Sequence, residues 1–229
     1  MKNTVLVVAA HPDDEVLGCG ATMAKHAKAG DAVHVLILAE GITSRDSQRR
    51  TDKRAKELSK LTKSAHAANK VLGVRSLTLD IFPDNRLDSI PRLDLVKAVE
   101  RVKEKIKPQI VYTHYSGDVN IDHRCVHDAV TAACRPQPGE TVKTILFFEV
   151  ASSTEWQLRG KKGIFAPDWS VDVSSTLGLK IKALKKYSSE MRPWPHPRSL
   201  KAVEHLARWR GASVGKNAAE AFVTGRNIL

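Results

Sequence analysis

The chain has 229 residues, of which 42% are hydrophobic and 27% charged, the proportions of an ordinary globular protein, so intrinsic disorder is excluded. Its three cysteines, at positions 19, 125 and 134, are too few for a disulfide scaffold and fit a reducing, cytoplasmic compartment. No stretch reaches the roughly 18 uncharged apolar residues of a membrane span, and the N-terminal residues lack the pattern of a secretory signal.

The formal net charge of +12 would suit a nucleic-acid partner, but its distribution argues against one. Lysines and arginines are spread over several segments, such as 49–63, 101–107 and 180–186, that are typical of solvent-exposed helix faces. Aromatic residues make up only 5% of the chain, which leaves few rings to stack on bases. We therefore disfavour nucleic-acid binding and expect the charge to attract anionic substrates or to maintain solubility.

Strands and helices alternate along the first two thirds of the chain. Continuous apolar runs predict buried parallel strands at 4–10, 32–39, 76–79, 109–113 and 144–150. Apolar residues at helical spacing predict helices between them, over 16–29, 58–72, 91–107 and 122–134. This order predicts a parallel sheet with helices on both faces.

The last third of the sequence is less regular. It predicts a strand near 169–173, a helix over 177–188, a proline-rich turn at 193–197 and a helix from 199 to about 210. Because no internal repeat or linker interrupts the chain, we expect a single domain over residues 1–229.

Polar and ionisable side chains are concentrated directly after the predicted strands, where parallel α/β sheets bind their ligands. The loop after the first strand contains His11, Asp13, Asp14 and Glu15. Acidic residues in the first turn of a helix complement its dipole, which would by itself explain Asp14 and Glu15. A histidine nitrogen and a carboxylate oxygen that converge on one point are also what a zinc ion requires.

Two histidines follow the fourth strand at a spacing that places them together. With Asp122 as the predicted N-cap, His123 and His127 lie four residues apart on the apolar face of one helix. Each of them alone is typical of a hydrogen-bonded core histidine. Together with His11 and Asp14 at the same sheet edge, one of them is better interpreted as the third ligand of a catalytic zinc site, which keeps its fourth position open.

Several segments then resemble one known family. AHPDDE at 10–15, THYSGDVNIDHR at 113–124, FEVASSTEW at 148–156 and HPRS at 196–199 are similar to motifs of the PIG-L/LmbE-like zinc-dependent N-acetylglucosaminyl deacetylases. The resemblance implies a Rossmann-like three-layer α/β sandwich with a mostly parallel central sheet. It also implies hydrolysis of an N-acyl group, usually acetyl, from an amino sugar by zinc-activated water.

The resemblance implies roles for individual residues as well. His11, Asp14 and His123 match the zinc ligands of the family, and Asp13 matches its general base. His127 is then a residue of the pocket beside the metal.

The sugar-binding side of the site is implied by a looser similarity. Asp84 is similar to a position that contacts sugar hydroxyls in relatives. Arg45 and Arg86 are expected to line the same side, at the mouths of the second and third strands.

One departure from the family pattern concerns the proton donor. In several relatives the later motif begins with a histidine that stabilises the oxyanion and protonates the leaving amine, whereas this chain has Asn120 there. His114 or Asn120 is then expected to stabilise the oxyanion. The proton is expected to come from His114, Asp118 or His196, or to be returned by Asp13. The Pro-His-Pro setting of His196 also fits a stiff surface turn.

The expected function is therefore zinc-dependent removal of an N-acetyl group from a small amino sugar or sugar conjugate. Another divalent ion, such as Fe²⁺, suits the same ligands. The alternatives are a deacylase of a non-sugar amide, a metal- or sugar-binding protein without catalysis, and a nucleic-acid-binding protein with a vestigial site. Assembly into a homo-oligomer is compatible with the sequence.

Overall fold

A seven-stranded mixed sheet forms the centre of the protein. The computed structural model describes residues 2–46, 48–158 and 163–228. The strands are β1 (Thr4–Ala9), β2 (Ala32–Ala39), β3 (Ser76–Phe82), β4 (Ile110–His114), β5 (Thr144–Phe148), β6 (Trp169–Asp172) and β7 (Ala219–Asn227). Their order across the sheet is β3-β2-β1-β4-β5-β7-β6. Strands β1 to β5 pair in parallel, and β7 runs antiparallel to β5 and β6.

Helices cover both faces of this sheet. They are α1 (Asp14–Ala29), α2 (Ala55–Leu72), α3 (Arg92–Ile106), α4 (Ile121–Ala133), α5 (Leu177–Leu184) and α6 (Leu200–Ala212). Within the described ranges, none of these helices has the length and apolar character needed to cross a membrane.

Alternate residues of β1 enter two different cores. Val5 and Val7 pack with residues of α1 and α2 on one face of the sheet. Leu6 and Val8 pack with residues of α3 and α4 on the other. A strand buried on both faces has no polar side to show, which is why its sequence is a continuous apolar run. The predicted three-layer α/β sandwich with a mostly parallel sheet is confirmed.

The structure differs from the sequence-based expectation at several places, among them the starts of α1 and α2, which lie two and three residues before the predicted ones. β3 extends to Phe82, beyond the predicted end at residue 79. The predicted helix over 177–188 ends at Leu184 and continues as the 3-10 turn Lys185–Tyr187. β7 was not predicted at all. Asp122 is not the N-cap of α4, because Asn120 occupies that position and its side chain accepts a hydrogen bond from the Asp122 amide.

A buried ion pair stabilises a kink in α1. Cys19 leaves the helical conformation, with φ −143° and ψ 24°, so backbone groups on either side of it lose their helical partners. Glu220 of β7 accepts hydrogen bonds from the amides of Ala21 and Thr22, at 3.1 and 2.6 Å. Lys180 of α5 donates to Glu220 at 2.6 Å and to the carbonyl of residue 17 at 2.7 Å. The pair therefore ties α1, α5 and β7 together.

The sheet order also determines where a ligand can bind. β1 lies between β2 and β4, so the chain turns to opposite sides of the sheet after β1 and at β4. Such a switch point leaves a crevice at the carboxyl ends of the two strands. His11 follows the end of β1 and His114 is the last residue of β4, which brings both to this crevice.

Candidate metal centre and active site

Three predicted ligands converge at the crevice between β1 and β4. Asp14 Oδ2 lies 3.1 Å from His11 Nδ1 and 3.1 Å from His123 Nε2. The ligand atoms of the three residues all lie within 4.8 Å of one another. The loop after β1 provides His11, the first residue of α1 provides Asp14, and the first turn of α4 provides His123.

The chemistry of this trio fits a divalent cation. The side chains of Asp14 and His123 are 0% and 1% exposed. Among the described residues, the buried Asp14 Oδ1 has no hydrogen-bond partner, and the buried His123 Nε2 faces the Asp14 carboxylate without a well-aligned hydrogen bond. Burial of unpaired polar atoms is costly, and a cation coordinated by them would remove that cost. Two imidazole nitrogens and one carboxylate oxygen are the ligand types of a catalytic zinc site.

The charges of the trio depend strongly on one another. Burial lowers the pKa of His123, but the neighbouring carboxylates of Asp14 and Asp118 outweigh it and raise this pKa to about 9. Burial likewise works to raise the pKa of Asp14, but the His123 and His11 rings hold it well below its ordinary value. The site therefore keeps Asp14 ionised, which is the state that binds a metal ion.

Asp118 orients the His123 ring from the side away from Asp14. Its Oδ2 lies 3.1 Å from His123 Nδ1. Asp118 is itself fixed, because it accepts hydrogen bonds from the hydroxyls of Ser153 and Thr154 and from the Asn120 amide. Burial opposes its ionisation, yet His123 and these donors lower its pKa to about 2. This arrangement makes Asp118 the carboxylate partner of a candidate metal ligand, and such a partner is a common device for fixing a ligating histidine ring.

His11 has two carboxylates on its other ring nitrogen. Its Nε2 lies 2.9 Å from Asp122 Oδ2 and 3.2 Å from Asp84 Oδ1. Asp122 Oδ2 also accepts the Asn85 amide at 2.7 Å. Asp84 is 3% exposed, and its Oδ2 accepts hydrogen bonds from the amide and the hydroxyl of Ser44. The predicted sugar contact of Asp84 stays a prediction, and the observed contacts show that it holds the loop after β2.

Asp13 lies beside the trio without being part of it. Arg198 Nη1 donates to Asp13 Oδ2 at 3.1 Å, and Arg198 Nε donates to the Ser152 hydroxyl at 2.7 Å. Burial raises the pKa of Asp13 to about 8, although the Arg198 guanidinium opposes the rise. A carboxyl group whose pKa lies near neutrality and which stands next to a candidate metal site has the properties expected of a general base.

His114 and Asn120, the expected oxyanion donors, each make a hydrogen bond away from the trio, while His114 Nδ1 is buried without a hydrogen-bond partner among the described residues. His114 Nε2 accepts the Ala10 amide at 2.8 Å, and its ring stacks on His123 with centroids 4.0 Å apart. Burial and the neighbouring His123 lower the pKa of His114 well below its ordinary value, so it is neutral at pH 7. The Asn120 side chain caps α4. Their predicted roles as oxyanion donors stay predictions. Neutral His114 lacks the extra proton that a proton donor needs, and the amide of Asn120 does not deliver one.

The two remaining histidines of the predicted site lie around its edge. His127 Nδ1 donates to the His114 carbonyl at 2.9 Å. His196 Nδ1 accepts the Arg198 amide at 3.0 Å, and its ring meets Trp156 edge to face. His196 thus belongs to the same turn that carries Arg198 to Asp13, and its predicted role in the pocket stays a prediction.

The predicted arginines lie farther out. Arg45 Nη2 donates to Glu190 Oε2 at 2.8 Å while 43% of the Arg45 side chain is exposed. Arg86 is an exposed residue of the loop after β3. Both lie on the side of Asp84, and contact with a substrate stays a prediction for them.

Sequence reasoning missed Arg198, Glu190 and the contact between Asp122 and His11. Arg198 lies within the HPRS segment, and a lone arginine in a proline-rich turn was the available signal. Asp122 was interpreted only as a helix cap. Glu190 follows a 3-10 turn in a polar segment that offers no such signal.

Comparisons with known proteins place the chain in a family of de-N-acetylases. The profile of the family described as PIG-L, GlcNAc-PI de-N-acetylase, matches residues 6–134. The Escherichia coli (strain K12) protein "Uncharacterized deacetylase YaiS" is 28% identical over 194 residues, which cover 82% of this chain and 92% of that protein. A 4-oxalmesaconate hydratase from Pseudomonas putida is 25% identical over 245 residues, which cover 100% of this chain and 86% of the relative.

A solved structure shows the same fold. The N,N'-diacetylchitobiose deacetylase from Pyrococcus horikoshii superimposes with a TM-score of 0.77 at 18% identity, covering 98% of this chain and 84% of that one. A mostly parallel sheet between layers of helices is thus shared with a protein of low sequence identity.

Proposed function

Because this chain belongs to the PIG-L family of de-N-acetylases, we propose that it is a metal-dependent hydrolase that removes an N-acyl group, in the first place acetyl, from an amino sugar or sugar conjugate. The observation that carries the proposal is the convergence of His11, Asp14 and His123 on one point, with Asp13 held beside them by Arg198. Three ligands plus a separate base are the requirements of metal-assisted amide hydrolysis.

The trio would hold zinc, or another divalent ion such as Fe²⁺, and that ion would supply Lewis acidity to the acyl carbonyl and to the attacking water. Asp118 and Asp122 keep the two histidine rings in orientation through their other nitrogens. Asp14 needs no such help, because both histidines already face it.

Asp13 moves the proton in the proposed reaction. Its carboxylate takes a proton from water as the water oxygen bonds to the acyl carbon. The C–N bond then breaks, and Asp13 returns the same proton to the leaving nitrogen. This assignment is supported by the state of two of the alternatives, since His114 is neutral and buried, and Asp118, with a pKa of about 2, has no proton to give. Arg198 favours the ionised form that begins the cycle.

The substrate would enter from the side of Arg45 and Arg86. Arg45 is partly exposed, so its guanidinium has donors left after its bond to Glu190. Trp156, which is 52% exposed, stands with His196 on the opposite edge as an apolar wall. A polar ring with an apolar face suits such a cleft, which is why we propose a small N-acetylated sugar.

The test combines metal content with release of acetate and free amine from a panel of N-acetylated amino sugars. The parent protein should bind about one metal ion and deacetylate at least one of these amino sugars. His123→Ala should lose both the metal and the activity, and Asp13→Asn should keep the metal and lose activity. His66→Ala, at an exposed position of α2, is the matched control and should change neither. Metal binding without turnover of any amide, in a parent that also binds sugars, would instead support the non-catalytic alternative.

The match to a hydratase over the whole chain supports one second candidate, addition of water to a carbon–carbon double bond. Both reactions begin when Asp13 takes a proton from water, but hydration releases no amine. Loss of ultraviolet absorbance from an unsaturated tricarboxylate, with no amine released from any amide, would favour this candidate over deacetylation.

A further inference from the structure

Glu15 is a completely buried carboxylate that no step of the proposed reaction uses. It is 0% exposed, and three donors surround it. Its Oε2 accepts the amide of Asp13 at 3.1 Å. Its Oε1 accepts the Tyr187 hydroxyl at 2.7 Å and the side-chain amide of Asn69 at 2.9 Å. An acidic residue that only complements a helix dipole needs neither burial nor such partners.

The residue that Glu15 contacts has an unusual backbone. Asp13 has φ 122° and ψ −27°, a region that residues other than glycine rarely adopt. Such a conformation persists only when the surrounding structure fixes it, and it is found most often at functional sites. The Asp13 carbonyl accepts the amides of Val16 and Leu17 at 3.1 and 2.8 Å, which fixes the following peptide. Glu15 fixes the preceding one.

The direction of the Asp13 side chain depends on this backbone. A change in φ at Asp13 would rotate its Cα–Cβ bond away from the trio, since the peptide on each side is anchored. Arg198 holds only the tip of the carboxylate. Positioning of the base therefore needs a fixed backbone as well as the arginine.

Two distant elements hold Glu15 in turn. Asn69 lies on α2, where its side-chain amide also donates to the Ala65 carbonyl at 2.9 Å. Tyr187 follows α5 and is fully buried. The helices on one face of the sheet thus fix the carboxylate of Glu15. That carboxylate in turn fixes the Asp13 backbone by accepting its amide.

We propose that Glu15 is a positioning residue: fixed by Tyr187 and Asn69, its carboxylate holds the Asp13 amide and so directs the Asp13 carboxylate at the reacting water. This inference rests on the proposed function for its effect on rate. Its effect on the Asp13 backbone is independent of any substrate.

Tyr187→Phe tests the network without touching the loop after β1. It removes one donor to Glu15 and keeps the ring. Tyr112→Phe is the matched control, because Tyr112 is also buried and its hydroxyl bonds His26 at 2.9 Å, away from the trio. Tyr187→Phe should lower kcat about ten-fold, with KM and metal content within two-fold of the parent. Tyr112→Phe should leave kcat within two-fold, and equal losses in the two variants would overturn the proposal.

Glu15→Gln should give the larger effect. All the partners of Glu15 are donors, so the new side-chain NH₂ group must face a donor, either the Asp13 amide or the Tyr187 hydroxyl and Asn69 amide. We expect kcat to fall by about 10². In an Asp13→Asn background the same change should cost nothing further, because Glu15 acts through Asp13. Full additivity would show a merely structural role.

Crystal structures of the parent, Glu15→Gln and Tyr187→Phe separate this inference from the proposed function. The parent should show Asp13 with positive φ, and Glu15→Gln should show the residue rotated. If the parent turns over no amide but this rotation is found, the deacetylase proposal fails and the positioning role of Glu15 stands. If Asp13 is unmoved in Glu15→Gln, the inference is wrong. Should Glu15→Gln not fold, the structure and kcat of Tyr187→Phe decide.

Discussion

Replacing Lys180 with methionine should destabilise the protein by about 3 kcal/mol. Methionine has a similar length, so the change removes the charge and keeps most of the packing. Lys180 and Glu220 have side chains that are 5% and 4% exposed and lie 2.6 Å apart. Loss of one partner would leave the carboxylate buried without its cation.

The magnitude follows from what remains around each group. Removal of one partner of a buried pair costs about 3–5 kcal/mol. Glu220 keeps two backbone donors, the amides of Ala21 and Thr22, which places the cost at the lower end. The carbonyl of Leu17 also loses its hydrogen bond from Lys180, which contributes about 1 kcal/mol of that total.

Urea unfolding followed by tryptophan fluorescence measures this cost directly. The midpoint should fall with an unchanged m-value, and Tm should drop by about 6–12 °C. Lys182→Met is the control, because Lys182 lies on the same helix and is exposed, and it should change stability by less than about 0.5 kcal/mol. A loss below about 1 kcal/mol in Lys180→Met would refute the idea that this pair stabilises the α1 kink.

Three further predictions concern the site and its packing. Arg198→Met removes the cation that opposes the burial-induced rise in the pKa of Asp13, and the base must be ionised to act. The acid limb of kcat/KM should therefore move to higher pH, and an unmoved limb would contradict this role. Zinc added to the metal-free protein should raise Tm, because at a free zinc concentration of 100 times Kd it stabilises the folded state by about 2.7 kcal/mol. The Tm of His123→Ala should not rise. Equal rises in the two proteins would exclude His123 as a ligand. Gly18→Ala should cost about 2 kcal/mol, because its Cβ would lie 2.3 Å from a buried phenylalanine ring. A Cβ added at Gly178 within α5 meets open space, so Gly178→Ala should stabilise the protein by up to about 1 kcal/mol. Unfolding curves in which Gly18→Ala is the more stable of the two variants would contradict the packing described.

The central strands could be predicted because burial on both faces leaves a simple signal. β1 and β2 are apolar at nearly every position, and no helix pattern explains such short runs. β7 gave no such signal. Its sequence, AEAFVTGRN, becomes polar after Val223, and its strand conformation depends on pairing with β5 and β6.

The grouping of the candidate metal ligands was predictable for a related reason. Parallel strands bring their carboxyl ends to one edge, so His11 and Asp14 could be placed beside the two histidines of α4 without a structure. The family resemblance, and not this geometry, favoured His123 over His127 as the third ligand. Arg198 could not, since it lies 185 residues from Asp13 in the chain and no periodicity links them. Asp122 was mistaken for a cap because aspartate and asparagine are about equally favoured there, and the two lie two residues apart.

The position of β7 has a consequence for how the chain folds as it is synthesised. In the described part of the protein, β6 joins the sheet through β7, and β7 follows every other strand in the chain. α1 emerges early from the ribosome, but Glu220, the acceptor of the amides at its kink, emerges about 200 residues later. A nascent chain can therefore form the β1–β5 half of the sheet early, whereas α1 reaches its final hydrogen bonding only after translation of β7.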